Sequence, residues 1–176
     1  MPRWLPNALT AARLVAIVPF AVLLSRAQDA VSVPAAVIFA GASVTDFLDG
    51  YLARHAHAQS RFGRIADPVA DRLLVDVALV LLVVHQRLDW WLAVPVFGRD
   101  MVLAIAFRAR HELTEVQVNM AGKSATALIM LGLTFLMLTR SGWPLWVYAG
   151  GMALSLAAAG LYLLRSGEEG LPSRQS

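Results

Sequence analysis

The stretch VTDFLDGYLARHAHAQSRFGRIADPVADRLLV, residues 44–75, decides how the rest of the chain is read. It sets Asp46, Asp49, Asp67 and Asp71 close together in a sequence of 176 residues that is 58% hydrophobic and only 15% charged. Soluble chains carry about 25% charged residues, so the surroundings of these acids are those of a membrane protein. Asp46 and Asp49 have the i, i+3 spacing and Asp67 and Asp71 the i, i+4 spacing that place each pair on one face of a helix. Four carboxylates gathered at one depth repel one another and resist desolvation unless roughly four positive charges compensate them.

Outward from this stretch, six apolar segments can be marked at about 8–24, 31–48, 62–84, 90–107, 118–138 and 143–164. Each approaches the ~20 residues with which a helix crosses a ~30 Å hydrocarbon layer, and lipid leaves a single span no other way to satisfy its backbone. The expected fold is therefore an all-α integral membrane protein of six transmembrane helices, with short connections that make neighbours antiparallel. Residues 1–165 form one membrane domain and 166–176 a polar, flexible tail.

Arg3, the apolar run to Leu24 and the Ser25-Arg26-Ala27 that follows could pass for a secretory signal. Arg13 interrupts that run and more apolar segments follow, so it is read as the first helix. Six crossings leave both termini on the side of the 2–3 and 4–5 connections. When each Lys and Arg is assigned to its nearest end, that side takes all 15 except Arg26, Arg87 and Arg140. Positive charge concentrates on the cytoplasmic side, so both termini are expected there, in the inner membrane. Trp90, Trp91, Trp143 and Trp146 fall at the opposite face, where an interfacial aromatic belt belongs.

The charge neutralising the acids can come from two divalent cations. A carboxylate-only donor set selects hard metals, Mg2+ first and Mn2+ second, and two such ions suit in-line displacement at phosphorus. The competing reading pairs the acids with Arg54, Arg61, Arg64 and Arg72 of the loop region. With no cysteine, disulfides, thiolate zinc sites and cysteine nucleophiles are excluded. A nucleic-acid role finds no support, because the basic residues follow the membrane topology.

The order Asp46, Asp49, Gly50, Ala53, Arg54, Gly63, Asp67, Asp71 is D-x2-D-G-x2-A-R-x8-G-x3-D-x3-D without departure. Eight fixed positions at roughly 6% usage each recur by chance on the order of once in 10¹⁰ starting points. In this motif the chain resembles the CDP-alcohol phosphatidyltransferases. The resemblance implies transfer of a phosphatidyl group from a CDP-linked donor to an alcohol, release of CMP, a polar active-site cavity on the cytoplasmic side, and a homodimer. It assigns Asp46, Asp49, Asp67 and Asp71 to two metals, Asp71 also to general-base duty, and Gly50, Ala53, Arg54 and Gly63 to the nucleotide and pyrophosphate.

The opening LPNALTAARL, with Asn7, Thr10 and Arg13 on one helical side, resembles the bacterial phosphatidylglycerophosphate synthase branch, as do SRFGRIADPVADRLLV and VNMAGKSAT. That branch implies glycerol 3-phosphate as acceptor and a basic cluster for its phosphate, with Arg99, Arg108 and Lys123 as candidates. Arg99 stands well inside the fourth segment, where it serves no solubility purpose. Two features differ: Arg99-Asp100 replaces Arg-Glu, and Gly122-Lys123-Ser124-Ala125 replaces Gly-Lys-x-Lys. GRDMVL, residues 98–103, resembles CDP-dependent cardiolipin synthases instead, so phosphatidylglycerol is the alternative acceptor. An intramembrane prenyltransferase gives no reason for the Gly and Ala-Arg spacings. A divalent-cation transporter would spread its acids across the membrane depth.

Overall fold

The computed structural model describes the backbone over residues 5–53, 63–109 and 120–168, and side chains over 11–45, 72–99, 101 and 122–160. The described residues form six long helices: α1 (Leu5–Ser25), α2 (Val33–Ala53), α3 (Gly63–Val84), α4 (Trp90–Ala109), α5 (Met120–Leu138) and α6 (Trp143–Glu168). A single 3₁₀ turn, Gln28–Ala30, joins α1 to α2. Among the described residues there is no strand. Nor, among those residues, is any helix long and apolar enough to cross a membrane. Each helix takes up most of its apolar segment. The largest difference is at α2, which continues through Asp49 and Gly50 to Ala53 where the apolar run stops at Leu48. Loss of hydrophobicity does not end a helix; a breaker or a competing cap does.

One end of the bundle is tied together by backbone and side-chain bonds between its connections. The Ser32 amide at the start of α2 donates to the Met137 carbonyl at the end of α5, at 2.8 Å. The His85 ring, just past α3, lies 3.3 Å from the Ser25 carbonyl that closes α1. Arg87 donates to the carbonyls of Leu136 at 3.2 Å and Arg140 at 3.3 Å, and also to that of Thr139. The Leu136 carbonyl lies in the last turn of α5, whose acceptors have no intrahelical donors, and the other two lie just past it. Arg140 in turn pairs with Asp29 at 3.3 Å. The six helices therefore alternate in direction, and α1 and α3 run parallel, with Ser25 level with His85.

The turn that aims Arg87 is a Schellman motif built without glycine. Gln86 takes φ 55°, its amide donates to the Val83 carbonyl at 2.9 Å, and the Arg87 amide donates to that of Leu82, also at 2.9 Å. Two of the final carbonyls of α3 are satisfied in this way.

Packing is most extensive between α5 and α6, then between α1 and α3. Gly132 and Gly151 let the α5 and α6 backbones close up. A Cβ built on Gly132 would lie 2.7 Å from the Tyr148 backbone, and one on Gly151 2.7 Å from the Ile129 amide nitrogen. Tyr148 is fully buried there and donates from its hydroxyl to the Leu92 carbonyl of α4 at 2.9 Å. Phe20 of α1 and Phe39 of α2, both fully buried, meet at a 5.7 Å ring separation. The outward surface is apolar too: Val15, Val18, Val37 and Val84 are all more than half exposed, as are Trp90, Trp91 and Trp146.

Candidate active site

The motif lies at the end of the bundle opposite the tied one. Asp46, Asp49, Gly50 and Ala53 occupy the final turns of α2, and Gly63, Asp67 and Asp71 the opening turns of α3. The side chains of these seven residues, and the whole of Arg54, lie outside the described residues. Their depth still follows from helical rise. At 1.5 Å per residue, Asp46 stands about 20 Å along α2 from Val33, and Asp71 about 20 Å along α3 from Val84. Asp49 and Asp67 stand about 24–26 Å along the same helices. Counted in this way from the tied end, Asp46 and Asp71 stand at about the same depth on their helices, as do Asp49 and Asp67. Among the described residues no group of three or more His, Cys, Asp and Glu could hold a metal ion. The motif acids are not among the side chains to which that applies.

A buried cation stands beside this level. Arg13 of α1 is only 7% exposed. Because Ser25 is level with His85, Arg13 is level with Leu73, between Asp71 and Asp76 of α3. It has a polar partner, as do Arg72 and Asp76. The sequence marks Arg13 as a charge interrupting an apolar run and, with Asn7 and Thr10, as part of one polar helical side; its burial comes from the fold.

The three expected acceptor contacts fall at different depths. Arg99 is half-buried on α4, about 14 Å from Trp90, and its Nη1 donates to the Ser155 hydroxyl of α6. Lys123 is half-buried on α5, about 22 Å from Leu138. Arg108 is nearest the motif end of α4, about 27 Å from Trp90; its side chain lies outside the described residues. Ser155, 6% exposed, is absent from the residues singled out in the sequence. A serine in an apolar helix is common, and nothing in its neighbours Leu154 and Leu156 marks it.

The family profile of the CDP-alcohol phosphatidyltransferases matches residues 3–161. The chain belongs to this family. It is therefore an enzyme, a transferase of phospholipid biosynthesis. Among curated relatives, the chain is 36% identical to a CDP-diacylglycerol--glycerol-3-phosphate 3-phosphatidyltransferase of Escherichia coli strain K12, over 166 residues that cover 90% of this chain and 88% of the relative. Proteins of the same name from Shigella sonnei and Shigella flexneri serotype 5b match with the same identity and coverage.

Proposed function

We propose that this phosphatidyltransferase moves the phosphatidyl group of CDP-diacylglycerol to glycerol 3-phosphate, giving phosphatidylglycerophosphate and CMP. The observation that carries the reading is the unbroken motif in a chain 36% identical, over 90% of its length, to a relative named for that reaction. The six helices span the inner membrane, with both termini and a polar cavity at the cytoplasmic side, and the working assembly is a homodimer. Supporting the membrane reading, large apolar side chains face outward as they do toward lipid. The lipid donor itself must be met at a membrane surface.

Asp46, Asp49, Asp67 and Asp71 are the residues to hold two divalent cations, Mg2+ or Mn2+. An anionic, all-oxygen donor set at two matched levels fits hard ions. Such ions, when bound, polarise the bridging phosphate and offset charge on departing CMP. Arg54 presents a planar fork of donors to the pyrophosphate. Gly50 and Gly63, lacking a Cβ, and Ala53 with only a methyl, let the nucleotide approach the backbone. Arg99 and Lys123 hold the acceptor's phosphate, and Arg108 attracts it near the cytoplasmic rim. Asp71 takes the proton of the acceptor hydroxyl as that oxygen bonds to phosphorus, and the bond from phosphorus to the CMP oxygen breaks.

One observation favours a second reading, in which phosphatidylglycerol is the acceptor and the product is cardiolipin. The second lysine of the Gly-Lys-x-Lys pattern is replaced by Ala125, which is fully buried in the packing, so α5 offers one cation fewer to a phosphomonoester. An acceptor panel decides. Purified protein with Mg2+ and CDP-diacylglycerol is given glycerol 3-phosphate, phosphatidylglycerol, inositol phosphate, serine or no acceptor, and CMP release is measured. CMP is expected with glycerol 3-phosphate. Release with phosphatidylglycerol alone replaces the first reading by the second, and release with none removes both.

A further inference from the structure

Two polar links join α6 to α4. The Tyr148 hydroxyl donates to the Leu92 carbonyl, and Arg99 donates to the Ser155 hydroxyl; both join residues 56 apart in sequence. The two helices therefore run parallel in one constant register. The links lie roughly two turns apart, on one stripe of each helix. The first is a fixed anchor. Tyr148 is clasped between α4 and the α5 backbone at Gly132, so the rotation and height of α6 are set before Ser155 is reached.

The second link differs in kind, because it ends on a cation. A buried hydroxyl needs partners, and Ser155 accepts from one of the five guanidinium donors of Arg99, leaving its own hydrogen for another acceptor. Because the hydroxyl is neutral, this bond orients the guanidinium without itself adding a counter-charge. A carboxylate in that place would pair with Arg99 and lower its attraction for an anion. A flexible arginine loses side-chain entropy when it orders on a ligand, and one already held loses less.

We infer that Ser155 is a positioning residue for the acceptor: it holds the Arg99 guanidinium oriented for the acceptor's phosphate. This rests on the reading that Arg99 contacts that phosphate, and the test separates the two. Steady-state kinetics are measured with CDP-diacylglycerol and the acceptor that supports turnover, glycerol 3-phosphate in the present reading, for Ser155→Ala, Ser155→Thr, Arg99→Ala and the Ser155→Ala/Arg99→Ala double variant. Thermal stability is followed for each.

Ser155→Ala is expected to raise the acceptor KM about three- to tenfold, with the CDP-diacylglycerol KM unchanged. Ser155→Thr, which keeps the hydroxyl, restores the acceptor KM. Arg99→Ala raises it more, about ten- to a hundredfold, and the double variant is no worse than Arg99→Ala. An unchanged acceptor KM in Ser155→Ala, beside a raised one in Arg99→Ala, overturns the positioning role and leaves the acceptor reading standing. An unchanged KM in Arg99→Ala overturns the acceptor reading and the inference with it. A lowered Tm with equal effects on both substrates makes Ser155 a packing residue and also overturns the inference.

Discussion

Replacing Asp71 with Asn conserves size and hydrogen-bonding reach but removes charge and basicity. If this carboxylate takes the acceptor proton, Asp71→Asn lowers turnover by at least about 10² while CDP-diacylglycerol binding, followed by titration calorimetry, stays within a few-fold. Near-normal CMP release by the variant would take the proton away from Asp71. Arg87 acts on stability instead. Its fork reaches three carbonyls at the end of α5, and Arg87→Ala is expected to destabilise the protein by about 1–3 kcal/mol, read as a lower Tm in detergent. Arg87→Lys should recover only part, since an ammonium lacks the planar fork. The two residues also differ in how they announce themselves. Asp71 is legible in the sequence because few residue types suit its chemistry and its partners stand at fixed spacings. Arg87 reads as one of three cations on the sparse side, because its acceptors are backbone atoms about 50 residues away. Ser155 is silent because its partner, the Arg99 side chain, stands 56 residues away in sequence.

At the scale of the helix, glycine has two meanings on α6 that only packing separates. Gly151 faces the α5 backbone, where a Cβ would come within 2.7 Å of the Ile129 amide nitrogen, whereas a Cβ on neighbouring Gly150 would meet nothing within 4 Å. Gly151→Ala is therefore expected to lower stability by about 1–3 kcal/mol through overpacking. Gly150→Ala should be neutral, or stabilising by up to about 1 kcal/mol from helix propensity. Thermal unfolding of the pair checks this, and equal Tm values would mean that α5 and α6 do not approach so closely. The sequence presents Gly150-Gly151 as a doublet with no hint of which member is packed. Helix existence was legible, since apolar runs of this length have few alternatives. The far boundary of α2 was not, because hydropathy records where polar residues begin and the backbone continues regardless through Asp49 to Ala53.

Across the whole molecule, six helices of alternating direction follow from short connections, and the tied end bears this out. Which helices pack together does not follow. Among the described residues, α1 lies along α3 and α5 along α6, more extensively than α2 meets α3. Helices apolar on every side mark no inward face in the sequence, so the pairing rests on small residues and on polar bonds that a periodicity cannot register. The short connection between α5 and α6 has one more consequence. Ser141 is exposed at its tip, and the chain contains no native thiol to remove. Ser141→Cys therefore supplies a solitary reactive sulfur, and a membrane-impermeant maleimide added outside sealed right-side-out vesicles is expected to label it. Protection until the vesicles are opened would mean that the chain is inserted the other way up, with its acids facing away from the compartment where CDP-lipids are made.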